Sequence, residues 1–158
     1  MNMKIRYLLI FIIFILFISG CGKKKEPIMD QPAEDGNYHY RNIDLGFNLT
    51  LPPEFIYYQT QREQTDDFID IEFFVPVADK MYHEEVPGYA KPITVRVFRK
   101  EYWDSLSSDS TEQIIYKKLD KKDQKIYTIK FWENIPPEWR EKWNEEMKDW
   151  IIDNFSLR

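Results

Sequence analysis

The sequence predicts an α+β domain: an antiparallel sheet of about six strands with one long C-terminal helix packed on a face. Three observations lead there. Aromatic residues make up 16% of the 158 residues, and together with the β-branched ones they favour strands over helices. Short runs that alternate apolar and polar residues recur between residues 38 and 132, as half-buried strands require. After Pro136-Pro137 the period changes. Trp139, Trp143, Met147, Trp150 and Ile151 then recur at helical spacing and form one apolar stripe.

The chain begins with a different kind of segment. Lys4 and Arg6 are followed by an unbroken apolar run, Tyr7 to Ile18, and then by Ser19-Gly20-Cys21. Twelve helical residues span roughly 18 Å, short of the roughly 30 Å of a bilayer core. The run therefore reads as the apolar part of an export signal. Ile18-Ser19-Gly20-Cys21 resembles the lipobox of bacterial lipoproteins. The resemblance covers residues 1–21 and implies cleavage between Gly20 and Cys21, with lipid on the Cys21 thiol. It also implies an extracytoplasmic, lipid-anchored place at the cell membrane. Acyl chains hold a protein to a bilayer through about 0.8 kcal/mol per buried CH₂.

Residues 21–37 read as the lipidated cysteine and a flexible tether. They are polar, hold Pro27 and Pro32, and show no periodicity. Residues 38–158 read as a single globular domain. Tyr38 to Ile43 and Phe47 to Leu51 are expected strands, with Gly46 in the turn between them. Pro52-Pro53 ends the second. Phe55 to Thr60 is a weaker strand. In Asp67 to Val75, the residues Ile69, Ile71, Phe73 and Val75 share one face. Pro76 to Pro92 reads as a long loop and Ile93 to Arg99 as the next strand. Glu101 to Leu106 reads as one helical turn, with Trp103 facing inward. Gln113 to Leu119 and Lys125 to Trp132 read as a hairpin across Asp120 to Asp123. A helix start at Asn134 to Glu138 suits proline in the first turn, and Phe155 to Leu157 adds a short final strand.

Tyr38, Asn42, Gly46-Phe47 and Pro52, followed by sheet, a late Trp-rich helix and a terminal Asn-Phe-Ser-Leu, resemble the PsbP-like fold. That group includes the photosystem II extrinsic protein and many small bacterial lipoproteins. The resemblance implies a fold and no activity.

Charge narrows the choice of partner. Lys4 and Arg6 are the only charged residues before Cys21, so the remainder carries 20 basic and 27 acidic side chains. An acidic domain does not follow a phosphate backbone, and no nucleic acid is expected. One cysteine excludes an intrachain disulfide and a Cys-rich zinc site. There is no Gly-rich phosphate loop, no Gly-x-Ser-x-Gly elbow and no His-Glu-x-x-His. Accordingly no catalytic residue, cofactor or metal set is assigned.

His39 is expected on a strand surface. His83, near Asp79, Glu84 and Glu85, has metal-ligand chemistry at a spacing that fits no known site, so a solvated loop is expected. Asp66, Asp67, Asp70 and Glu72 form the densest acidic group. Alternation puts Asp70 and Glu72 on one face, expected to be wet. Tyr57, Tyr58, Tyr82, Tyr89 and Trp103 are candidates for an aromatic binding surface. The loop 77–92, with Tyr82, His83 and Tyr89, is the first place to expect a partner.

Three functions compete. The leading one is a non-enzymatic envelope lipoprotein whose domain binds a protein or glycan. A second is a small-ligand or lipid carrier, with a pocket between helix and sheet lined by Trp139, Trp143 and Phe131. The third is a hydrolase using the acidic strand or His83.

Overall fold

The computed structural model describes residues 31–158. The export signal, the Gly20-Cys21 junction and the first part of the tether lie outside the described residues. The described chain has eight strands: β1 (Tyr38–Asn42), β2 (Phe47–Leu51), β3 (Gln59–Gln64), β4 (Phe68–Pro76), β5 (Tyr89–Arg99), β6 (Lys117–Lys122), β7 (Lys125–Phe131) and β8 (Phe155–Leu157). Three short α-helices accompany them: α1 (Lys100–Ser105), α2 (Thr111–Ile115) and α3 (Glu145–Asp153). None is long and apolar enough to cross a membrane.

The strands form two antiparallel sheets, one of three strands in the order β1-β2-β8 and one of five in the order β3-β4-β5-β7-β6. Period-two alternation explains how they stack. Phe47, Leu49 and Leu51 of β2 are sealed, and they share one core with Ile71 and Phe73 of β4, Val95 and Val97 of β5, and Tyr127 and Ile129 of β7. Tyr40 meets Phe73 edge-on at 4.9 Å. Phe155 stacks on Phe47 at 5.5 Å. The sheets are also joined by a polar bond: the Tyr127 hydroxyl donates to the Leu45 carbonyl at 2.7 Å.

The other face of the large sheet is only partly covered. The segment from α1 to Tyr116 folds over one end of it. There Phe98 packs among Phe68, Tyr102, Trp103 and Tyr116. The far end of this face is open and carries the site described below.

The fold class differs from the expectation in three ways. First, the strands make two sheets rather than one. Second, no long C-terminal helix packs on a face. Pro137–Trp139 is a single 3-10 turn, and α3 starts only after Asn144. Asn144 is extended (φ −125°, ψ 176°), and its side chain accepts from the Met147 N–H at 2.9 Å. An asparagine that satisfies the helix end in this way favours a new start over continuation. Trp139 and Trp143 keep their four-residue spacing within an isolated turn, where the Trp143 N–H donates to the Trp139 carbonyl at 2.7 Å. Third, the start of the expected Gln113 to Leu119 strand is helical, within a short helix over Thr111–Ile115. Ser110 accepts from the Gln113 N–H at 3.2 Å, an N-cap in the Ser-x-x-Gln pattern of a capping box.

Smaller shifts have equally local causes. Strand β3 starts at Gln59, after a 3-10 turn at Pro53–Phe55 and a positive φ at Tyr57. The β6–β7 turn is Asp123-Gln124, both at positive φ (49° and 60°), as a tight two-residue hairpin requires. Strand β5 starts at Tyr89, so the preceding loop is shorter than expected. Pro92 lies inside this strand. The β4–β5 register slips between Phe73 and Val75, opposite Pro92, where proline has no N–H to offer the ladder.

The bond between the sheets is open to a direct check. Tyr127→Phe removes the hydroxyl and leaves the Leu45 carbonyl without that partner. The expected loss is about 1–2 kcal/mol, read from urea unfolding, with the far-ultraviolet circular dichroism of the native state unchanged.

Candidate functional site

The open end of the large sheet's outer face holds a cleft of about 440 Å³. Its floor comes from strand alternation. Asp70 and Glu72 of β4 stand opposite Arg96 and Thr94 of β5, and those stand opposite Thr128 and Lys130 of β7. Glu63 of β3 pairs with Asp70 at the other side. Its walls are Tyr116, the Glu84-Glu85 segment before β5, and Phe131 to Asn134 after β7.

The floor is charged and nearly dry. Asp70 is 3% exposed and Glu72 4%, which overturns the wet strand face expected for them. Buried charge must be neutralised, and both are paired. Arg96 donates to Asp70 through Nε at 2.7 Å and Nη2 at 2.6 Å, a two-point pair of the stronger kind. Its guanidinium lies between rings, 3.5 Å from the Phe68 centroid and 4.5 Å from that of Tyr116. Lys91 donates to Glu72 at 2.7 Å and to Glu85 at 2.9 Å, and lies 3.7 Å from Glu84.

Proton affinities follow this arrangement. Burial raises the Glu72 pKa above its ordinary value, and the contact with Lys91 only partly opposes it. For Lys91, burial works against the charged form, but hydrogen bonds to Glu72 and Glu85 outweigh it and raise the pKa. Arg96 is raised in the same sense by Asp70, against burial. Burial pushes the Tyr116 phenol up to about 12, against the pull of Arg96.

Two hydroxyls in the lining are unused. Thr94 is 7% exposed and Tyr116 6%, and neither side-chain oxygen has a hydrogen-bond partner among the described residues. Two sealed polar atoms among the described residues also lack a partner, the indole nitrogens of Trp132, a wall residue of the cleft, and of Trp143. Thr94 and Tyr116 both line the cleft. Six carboxylates and three basic groups surround the space, leaving it with three net negative charges. Carboxylate oxygens of Glu63, Asp70 and Glu72 lie within 4.8 Å of one another.

Of the residues named from sequence, Asp70 and Glu72 form the floor of this cleft and Glu84, Glu85 and Phe131 part of its walls, while Tyr82, His83 and Tyr89 are not in its lining. Tyr82 packs against the main core, and Tyr89 begins β5 opposite Pro76. His83 is half-buried, with Nε2 3.3 Å from the Val77 carbonyl. The same loop reaches the cleft through Glu84 and Glu85. His39 lies at an exposed strand position, with Nε2 2.9 Å from Asp35 and Nδ1 3.1 Å from Thr50. Trp103 packs on Phe98 at 5.0 Å. Trp139 and Trp143 are buried against Trp132, Phe55 and Phe131 at centroid distances of 5.3–6.2 Å. Side chains fill the space proposed for a carrier pocket. Cys21 and Gly20 lie outside the described residues.

The sequence reading missed Lys91, Thr94, Arg96 and Tyr116. A signal was present: Thr94 and Arg96 alternate with Ile93, Val95 and Val97 as Asp70 and Glu72 alternate with Ile69, Ile71 and Phe73. Opposite charges at matched positions of two apolar strands indicate pairs across a sheet. Comparisons with family profiles, with curated proteins and with solved structures find no match.

Removing one partner tests the floor. Lys91→Met leaves Glu72 buried and unpaired, at an expected cost of about 3 kcal/mol near neutral pH. A carboxyl whose folded pKa is raised contributes stability that is full below its unfolded value and lost as pH rises through the folded value. The ordinary value for Glu72 is 4.5 and its folded value lies above that. Without Lys91 the folded value moves further up. Urea midpoints of variant and wild type should therefore converge near pH 4 and diverge on the way to neutrality. Adding Glu72→Gln should remove most of the pH dependence of the difference.

Proposed function

We propose that this protein is a bacterial envelope lipoprotein, anchored through lipid on Cys21, whose domain acts by binding rather than by catalysis and meets its partner at the outer cleft of the large sheet. One observation carries the site. A 440 Å³ cleft is floored by buried charge and retains Thr94 and Tyr116 hydroxyls that have no hydrogen-bond partner among the described residues. Replacing buried ion pairs by packed apolar side chains is often neutral or stabilising, so stability alone is a poor reason to keep them. Convergent polar groups in a concavity are the usual mark of a ligand site.

The binding reading also fits the lining. Among the described residues, no histidine, cysteine or serine lines the cleft. Asp70 and Glu72 are tied to Arg96 and Lys91 rather than poised beside a nucleophile. The anchor rests on Ile18-Ser19-Gly20-Cys21 and the apolar run before it. The partner is accordingly a molecule of the cell envelope, reached from the extracytoplasmic face of the membrane.

Two measurements test this. Intact mass of the membrane-extracted protein should lack residues 1–20 and carry acyl chains, and Cys21→Ser should abolish both changes. A full-length, unmodified mass in wild type would remove the anchor. A photo-crosslinking residue at Glu133, on the cleft wall, should give a defined adduct in intact membranes. The same residue at Ile43, exposed on the turn of the small sheet, should give none. Equal yields from both positions would remove the cleft as the contact surface.

A further inference from the structure

Resting on the reading of the cleft as a binding site, we infer that its ligand is a primary alkylammonium, seated on Glu63, Asp70 and Glu72 with the Thr94 hydroxyl as a further acceptor. The cleft already contains such an arrangement. In one half, the protein's own ammonium, on Lys91, is held by Glu72, Glu85 and Glu84 at 2.7, 2.9 and 3.7 Å. In the other half, carboxylate oxygens of Glu63, Asp70 and Glu72 lie within 4.8 Å of one another, with Arg96 donating to both oxygens of Asp70 and Glu63 outside both ion pairs.

Several features select this ligand class. An ammonium has three donors and no acceptor, and this corner presents acceptors. Each carboxylate oxygen carries more than one lone pair, so Asp70 and Glu72 accept again after pairing. Thr94 is cross-strand neighbour to Glu72, and its buried hydroxyl has no partner among the described residues. The net charge of the lining is three negative, which opposes phosphates and carboxylates. A bare metal ion would leave most of the 440 Å³ unfilled. An alkyl chain fills that length along Phe131 and Trp132, as lysine stems cover apolar surface while the head stays on polar groups. The tip itself comes from a free diamine or from a lysine side chain of an envelope protein.

The full chain in detergent is titrated with 1,5-diaminopentane, with a capped peptide holding one lysine, with 1,5-pentanediol and with CaCl₂, followed by calorimetry and amide chemical shifts. The amines should bind and move the amides of Glu63, Asp70, Glu72 and Thr94, while pentanediol should not. Tighter binding of the diamine identifies a free amine, and tighter binding of the peptide a partner's lysine. Glu63→Gln should weaken the better amine at least about tenfold, the scale of a charged hydrogen bond. Glu63 is exposed and outside both ion pairs, so its urea midpoint should stay within error of wild type. Thr94→Val should weaken binding by a smaller factor. Equal response to pentanediol, response to CaCl₂ alone, or unchanged affinity in Glu63→Gln overturns the inference. A cleft silent to both amines while Glu133 still crosslinks overturns the ligand class and leaves the binding site standing. Silence in both experiments overturns the site itself.

Discussion

Asp70 and Arg96 face each other across the middle of the large sheet, and the arrangement of the domain depends on that pairing. Both faces of β4 are buried, so every residue along it needs an environment. The odd-numbered positions from Ile69 to Val75 meet the small sheet and make the main core. The even-numbered positions include two carboxylates, which stay buried only if neighbouring strands supply cations. Strand β5 supplies Arg96 directly opposite Asp70 and Lys91 beside the register slip at Phe74. A one-residue change in β4–β5 pairing would put Arg96 into the apolar core and Val95 beside Asp70. Register, the two-core division and the cleft floor are therefore one constraint.

The aromatic residues complete that constraint. Phe68 and Tyr116 hold the Arg96 guanidinium between them, and each such contact contributes roughly 0.5–2 kcal/mol according to its desolvation. Tyr116 also belongs to the second core around Phe98. The cover made by α1, α2 and Tyr116 thus closes one end of the outer face with apolar contacts and forms a wall of the cleft at the other.

Alternation made most of the sheet readable from sequence. Phe47-Asn-Leu-Thr-Leu51 has an unambiguous face, buried as expected, and Ile93 to Arg99 is a strand as expected, though buried on both faces at Thr94 and Phe98. The division into two sheets was not readable, because alternation identifies a buried face and not its partner. Nor was the break before α3. The Trp139, Trp143, Met147 spacing is equally satisfied by one turn followed by a new helix, and only the extended Asn144 distinguishes them. The Ser110-x-x-Gln113 cap was present in the sequence but lay among residues with strand propensity, Ile114 to Tyr116. The site was half legible. The acidic pair of β4 stood out, but the assumption that charge faces water assigned it to solvent. The residues that reverse that assignment, Lys91 and Arg96, are 19 and 26 positions from their partners and come into reach only through the antiparallel return of β5.

The floor of the cleft also explains why an apolar sheet face is interrupted there. Ile126 and Phe98 continue the same outer face and are sealed beneath α1 and Tyr116. Had residues 70, 72, 94 and 96 been apolar, the face would need cover along its whole length or would present an adhesive surface. Cross-strand ion pairs give a face that stays uncovered without aggregating, at little net gain in stability. Rigid pairs also hold their remaining acceptors in place before any ligand arrives, so little ordering is left to oppose binding. An open, preordered polar face suits a domain that meets something there, and on the proposed function that something approaches from the envelope side of a tethered domain.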